Sequence, residues 1–199
     1  RIATYFIRAG GGKDGMNVDP VLLDVKSCLG QDYIACMKLA GRYAYAGRDW
    51  VCGRVARILG ANILEEVHNH HNFVWLEEHG GESYWVVRKG ATPAGAGVFG
   101  VIPGSMVHPA YVVEGLGNPL ALCSAAHGAG RAMSRQEASS RYRRSDLDEV
   151  LDRHGVRLLS AGLDEVPMAY KDIRTVMAAQ SDLVRIVATF TPRIVKMAN

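Results

Sequence analysis

Residues 123–135, CSAAHGAGRAMSR, set His127 directly before a Gly-Ala-Gly turn and follow it with Arg131 and Arg135. A neutral imidazole nitrogen can attack a phosphorus centre, and the phosphoramidate it forms is labile enough to pass the group onward. Glycines at 128 and 130 clear the way for a bulky phosphate to reach backbone amides. A helix starting near Ala132 would add its N-terminal amides, and the two guanidiniums would add charge, so that an anion beside His127 is held from several sides. The same pattern also fits anion binding without covalent chemistry, or a histidine that merely adjoins a flexible turn.

Three other stretches carry chemically capable residues. HNHHN at 68–72 offers imidazoles, which bind transition metals well. In an extended segment His68 and His70 share one face while Asn69 and His71 share the other, so the cluster cannot close a metal site alone. It supplies either one histidine ligand completed from elsewhere or solvated histidines at a strand entrance. PGSM at 103–106 is a turn whose amides and Ser105 hydroxyl could bind a base or phosphate, although a plain type II turn explains Pro103-Gly104 equally well. GAGVFG at 95–100 has the spacing of a dinucleotide fingerprint but not its context. That fingerprint needs a helix after it, whereas VIPG continues as a strand and stops, so these glycines serve close backbone approach or a bend.

These residues need a scaffold. With 199 residues, 48% of them hydrophobic, the chain can bury a sizeable core, and a single domain is expected, helical over 1–62 and mainly strands with helices over 63–199. The net charge of +3 does not by itself point to nucleic acid. Four cysteines without a C-x-x-C pair fit a reducing compartment, and a cytoplasmic location is expected. No apolar run reaches the roughly 18 residues of a membrane span, so no membrane partner is expected. The first residue is Arg1 rather than methionine, which predicts a trimmed or partial product.

Asp19-Pro20 reads as a helix N-cap with proline at the first helical position, opening a helical hairpin. From Ile34, the residues Met37, Gly41, Ala44, Val51, Val55 and Ile58 recur at steps that predict a long helix ending near Gly60 and packed into a core. NFVWLEEHGGESYWVV predicts a β-hairpin, and VFGVIP, AYVVEG and LALC predict short strands. Ser145 with Asp148 predicts a helix through 154, a further helix covers 172–180, and LVRIVATFTPRIVKM predicts two strands broken at Pro192. The fold class is α+β, with mixed sheets flanked by helices.

Taken in order, HHNFVWLEEHGGESYWVVRKGATPAGAGVFGVIPGSM, CSAAHGAGRAMSR, EVPMAYKDI and a lysine near the C-terminus resemble the RtcB family of RNA-splicing ligases, from about Ala3 to Lys196 and most weakly over residues 8–60. The resemblance implies a GTP- and manganese-dependent enzyme that joins an RNA 3′-phosphate or 2′,3′-cyclic phosphate to a 5′-hydroxyl RNA end, as in tRNA splicing and RNA repair. It implies that His127 is the guanylylated nucleophile and His71 a manganese ligand. Asn72, Pro103, Gly104, Ser105, Met106, Gly128, Ala129 and Gly130 would contact the nucleotide, and Lys196 the guanine. Arg131, with Arg135 and Lys89, would hold RNA phosphate.

Two departures stand out. The family's glycine after Pro-Gly-Ser-Met and its nucleotide-contacting serine are here Val107 and Ala110. The family's metal-binding cysteine, aspartate and two further histidines belong to an N-terminal half that is absent from this sequence. The resemblance thus implies the C-terminal half of such a ligase, inactive alone, with the other half either a separate partner chain, removed by processing, or never encoded. Two other readings are a non-catalytic RNA- or nucleotide-binding module and a metal-dependent phosphohydrolase using the histidine cluster.

Overall fold

The computed structural model describes residues 2–13, 19–70 and 72–197, and the chain divides into two compact units, Arg1–Leu64 and Glu65–Asn199. In the first unit α1 (Ile2–Ala9) precedes a 32-residue helix, α2 (Cys28–Leu59). The Ser27 hydroxyl accepts the Gly30 amide and starts α2, and Gly60, in the left-handed region, ends it by donating back to Ala56 and Arg57. Asp19-Pro20 does not open a helix: residues 19–24 are irregular, and capping passes instead to Ser27. Ile34 and Gly41 are buried as expected, whereas Val51, Val55 and Ile58 are exposed. Within this unit α1 meets the start of α2, where Phe6 packs edge-on against Tyr33 at 5.2 Å, and leaves the later turns uncovered. Among the described residues, no helix is long and apolar enough to cross a membrane.

The second unit is a mixture of small sheets and short helices. Strands β1 (Asn72–His79) and β2 (Glu82–Lys89) form the expected hairpin. Gly80 and Gly81 both take positive φ, the turn that matches the twist of paired strands. β3 (Ala91–Pro93) pairs antiparallel with β6 (Ser124–Ala126), β4 (Phe99–Pro103) and β5 (Ala110–Gly115) form a sheet with β8 (Val184–Phe190), and β7 (Arg157–Ser160) runs parallel to β9 (Ile194–Lys196). Helices α3 (Arg135–Arg141), α4 (Arg144–His154) and α5 (Ile173–Ala178) fill the connections.

Three local expectations fail for identifiable reasons. LALC is not a strand, because the Asn118 side chain accepts the Leu120 amide and winds Pro119–Ala121 into a 3₁₀ turn, after which Leu122 and Cys123 both take left-handed backbone. The helix after the glycine turn begins at Arg135 rather than near Ala132, since Ser134 caps it by accepting the Glu137 amide. Asp146, not Asp148, closes the cap of α4, its carboxylate accepting the Arg143 amide at 2.8 Å.

Two apolar clusters form the core. One gathers Ile102, Tyr111, Val113, Ala125, Ala129, Ile173, Met177 and Val184; the other gathers Met106, Val107, Ala138, Leu147, Leu151, Val166 and Ala169. Tyr170 packs against both. The hairpin joins this body through one buried cation. Arg88, 3% exposed, donates to both Glu77 carboxylate oxygens at 2.6 and 2.8 Å, to the Ser124 hydroxyl at 2.8 Å and to the Leu122 carbonyl at 2.8 Å, with its guanidinium 5.1 Å from the Trp75 ring centre. Those bonds satisfy a charge that burial would otherwise penalise heavily. The bond from Arg88 also holds the Glu77 carboxyl below its ordinary value, against the opposing effect of burial. Glu77 therefore contributes stability above the carboxylate range that is lost as pH falls through its lowered folded value. Replacing Arg88 by alanine leaves Glu77 with only His79, 3.0 Å away, as a side-chain partner, and urea denaturation should show a loss of about 3 kcal/mol together with a weaker acid dependence of stability.

Candidate functional site

Short strands bring the candidate residues together. The β3–β6 pairing sets Ala91 opposite Ala126, so Gly90 and His127 face each other just beyond it, and the His127 amide donates to the Gly90 carbonyl at 3.4 Å. Lys89 precedes Gly90 and pairs across the hairpin with Asn72, which brings the end of the hairpin to the histidine turn. Asn69 ties the preceding segment to the same place, donating to the Thr92 hydroxyl at 2.5 Å and accepting the Val101 amide at 3.1 Å. The glycine turn then lies against the end of β4: the Ala129 amide donates to the Pro103 carbonyl at 3.0 Å, and a Cβ on Gly128 would stand 3.2 Å from that same oxygen.

Between these two turns lies a cavity of about 340 Å³ lined by Pro103, Gly104, Ser105, Met106, Gly128, Ala129 and Gly130, and further by Glu165, Tyr170, Val195 and Met197. The first seven are all residues that sequence reasoning placed on a nucleotide. Ala129 belongs to one apolar cluster and Met106 to the other, so the cavity sits where the clusters meet. An antiparallel bridge between Arg131 and Tyr170 closes the wall, with the Lys171 amide donating to the Gly130 carbonyl at 3.0 Å and the Ala132 amide to the Ala169 carbonyl at 2.8 Å.

Among the described residues, Glu165 is the only carboxylate on that wall. It accepts the Tyr170 hydroxyl, pairs with Arg135, and stands 3.8 Å from Arg131. Burial, reinforced by the bond to Glu165, pushes the Tyr170 phenol above its ordinary value, so it remains a protonated donor at neutral pH. Arg131 turns inward, donating from Nε to the Met133 carbonyl at 3.0 Å, from Nη1 to the Tyr170 hydroxyl at 3.3 Å and from Nη2 to the Asp164 carbonyl at 2.6 Å. Three of its five N–H donors are thereby committed to the wall. Arg135 is exposed and paired with Asp164 and Glu165, while Lys89 is exposed at the end of β2.

Not every expected residue joins the cavity. Lys196 is exposed and lies between Val195 and Met197, which do line it. His71 lies outside the described residues. His70 stacks on Phe73 at 4.3 Å and meets Trp75 edge-on at 6.0 Å, a packed aromatic group. The helix amides expected near Ala132 are not there, because α3 starts later. Sequence reasoning missed Glu165 and Tyr170 as wall residues. Their motif, EVPMAYKDI, carries no periodic signal that would mark a carboxylate and a phenol as partners.

The family model described as "tRNA-splicing ligase RtcB" matches residues 12–197. The chain is 41% identical over 169 residues to the RNA-splicing ligase RtcB of Escherichia coli K12, covering 79% of this chain and 41% of that protein. It is 34% identical over 196 residues to the tRNA-splicing ligase RtcB of Nanoarchaeum equitans and 33% identical over 199 residues to that of Thermococcus kodakarensis, in each case spanning 41% of the relative. The chain thus spans about two fifths of the length of these relatives.

The two turns should respond differently to an added methyl group. A Cβ on Gly104 would come within 2.6 Å of the Pro109 carbonyl oxygen and 2.8 Å of the His108 Cβ, so Gly104→Ala must shift backbone. Gly130 has open space but a φ of 70°, so Gly130→Ala carries only the left-handed strain. Urea unfolding should show a loss of about 2–3 kcal/mol for the first and about 1 kcal/mol for the second.

Proposed function

The chain belongs to the RtcB family of tRNA-splicing ligases, and on that premise we propose that its cavity holds a guanosine nucleotide whose α-phosphorus is attacked by the imidazole of His127. The observation that carries this reading is the meeting of two turns distant in sequence, PGSM and GAG, around one cavity that begins at the residue after His127. In the proposed sequence the imidazole nitrogen forms a bond to phosphorus as the bond to pyrophosphate breaks. An oxygen of the RNA 3′-phosphate then displaces the imidazole and takes the guanylyl group. The 5′-hydroxyl of the second RNA end attacks the activated phosphate, and GMP leaves. A 2′,3′-cyclic phosphate end belongs to the same substrate class.

The roles of the surrounding residues follow their settings. Backbone at 103–106 and 128–130 shapes the nucleotide site, and Asn72 and Lys196 complete its contacts. Lys89 and Arg135, both exposed, meet RNA phosphate, and Arg131 adds the two N–H donors that its bonds to the wall leave over. Manganese, when bound, would neutralise triphosphate charge and polarise the phosphorus. The cavity walls do not fit that ion: their single carboxylate is already engaged by Tyr170 and Arg135, whereas manganese favours several oxygen and nitrogen donors. On the family reading we assign the metal to His71, with further ligands outside the cavity wall, which a separate N-terminal half could supply.

The test is to incubate the chain with labelled GTP, manganese and RNA bearing 3′-phosphate and 5′-hydroxyl ends, with and without the N-terminal portion of a relative. An acid-labile, alkali-stable GMP adduct should form in the supplemented reaction and vanish in His127→Ala; an adduct that survives the substitution would refute the nucleophile. GMP binding without any adduct would favour a binding module, and release of free phosphate would favour a hydrolase. Without the supplement, sealing should fall by several orders of magnitude, since both positioning and charge neutralisation are lost. Full sealing by the chain alone would place the metal ligands within these 199 residues.

A further inference from the structure

We propose that His108 sets the hydrogen-bonding polarity of Ser105, drawing in its hydroxyl proton so that Ser105 offers a lone pair to an N–H or O–H of the nucleoside rather than a proton to a phosphate. This rests on the nucleotide reading of the cavity and goes beyond it. Ser105 lines the cavity, and His108, three residues on, does not. The two meet because the chain reverses sharply: the His108 amide donates to the Ser105 carbonyl at 3.2 Å and the Gly104 amide to the Pro109 carbonyl at 3.0 Å. The turn leaves the imidazole Nδ1 2.7 Å from the Ser105 Oγ. The same oxygen receives the Val107 amide, at 3.4 Å.

A hydroxyl has one proton and two lone pairs. With Nδ1 unprotonated, the proton goes to His108, one lone pair takes the Val107 amide, and the other is left for the cavity. A protonated imidazole reverses this arrangement. Its Nδ1–H donates to Oγ, both lone pairs are then occupied, and the hydroxyl proton must turn outward. The cavity residue thus changes from acceptor to donor without moving a heavy atom.

The surroundings favour the neutral imidazole. Half-burial is the largest influence and lowers the basicity of His108; Asp172 at the cap of α5 opposes it, while His154 at the end of α4 and Arg174 in α5 add to it. The His154 ring centre stands 6.2 Å away. His108 therefore loses its proton below the ordinary histidine value of 6.5 and is neutral at pH 7. The apolar surfaces of Pro103, Met106, Val195 and Met197 around Ser105 suit a base rather than a phosphate. As pH falls through the lowered value of His108, the acceptor is lost and nucleoside binding weakens.

Calorimetry of the chain with GMP at pH 7.5 and pH 5 tests this. Binding should be about tenfold weaker at the lower pH, the cost of one hydrogen bond turned against its partner. His108→Asn, whose amide oxygen can occupy the Nδ1 position but does not titrate, should bind at pH 7.5 and lose the pH dependence; Ser105→Ala should bind weakly at both values. IMP, lacking the 2-amino group, and 2′-deoxy-GMP identify which donor is read. An unaltered pH profile in His108→Asn overturns the proposal alone, whereas no GMP binding at any pH overturns it together with the nucleotide reading. Nitrogen-15 NMR of the wild-type His108 ring gives an answer independent of any variant. An unprotonated Nδ1 at pH 7 supports the proposal, and a proton on that atom refutes it.

Discussion

A guanidinium taken out of water must find partners, and Arg88 finds them both within the hairpin and beyond it. Its bonds to Glu77 stay within the hairpin, while those to Ser124 and the Leu122 carbonyl reach the segment that leads into His127. The cost of leaving any of these donors unmet in a buried setting makes the arrangement close to all-or-none. It also explains why Leu122 and Cys123 hold a left-handed backbone that their side chains disfavour. The Leu122 carbonyl has to face Arg88, and the Asn118 carbonyl accepts the Cys123 amide to close the turn. That requirement adds to the β3–β6 pairing and the bond from Ala129 to Pro103 in placing the segment from β6 to the glycine turn.

The cavity is a consequence of packing as much as of motif. Two apolar clusters approach each other and leave space between Met106 and Ala129 because residues 128 and 130 have no side chains to fill it. The far wall holds its shape through the network of Arg131, Tyr170 and Glu165, in which the buried Glu165 carboxylate is met by two half-buried side chains. Such a network is rigid only when complete. The cavity thus has one apolar flank and one polar flank held by hydrogen bonds.

Much of this was legible in sequence, and the failures have a common cause. The hairpin could be read because alternation and a Gly-Gly turn are local facts, and the end of α2 because Gly60 caps it directly. The PGSM and GAG turns could be assigned to one ligand only through resemblance, since nothing local says that Pro103 will receive the Ala129 amide. Asp19-Pro20, LALC and the helix start near Ala132 went wrong where two local signals competed and one side-chain cap won, at Ser27, Asn118 and Ser134. The wall residues Glu165 and Tyr170, and the role of Arg88, depend on partners far away in the chain. Two of the bonds made by Arg131 likewise go to partners far away in the chain, at Asp164 and Tyr170.

The charges of the second unit also bear on what its cavity can do alone. Glu165 and Asp164 are matched by Arg135, and three Arg131 donors are directed at protein oxygens, so much of the cationic charge of the far wall is already engaged. A triphosphate brings several negative charges, and positioning it next to a neutral imidazole needs charge that is not already committed. The walls supply shape, apolar surface and a few directional hydrogen bonds. On the proposed nucleotide reading, these walls meet the nucleoside, and the phosphates need charge from elsewhere. In the proposed chemistry at His127, the cavity would provide recognition, and manganese, when bound, would provide the charge that activates the α-phosphorus.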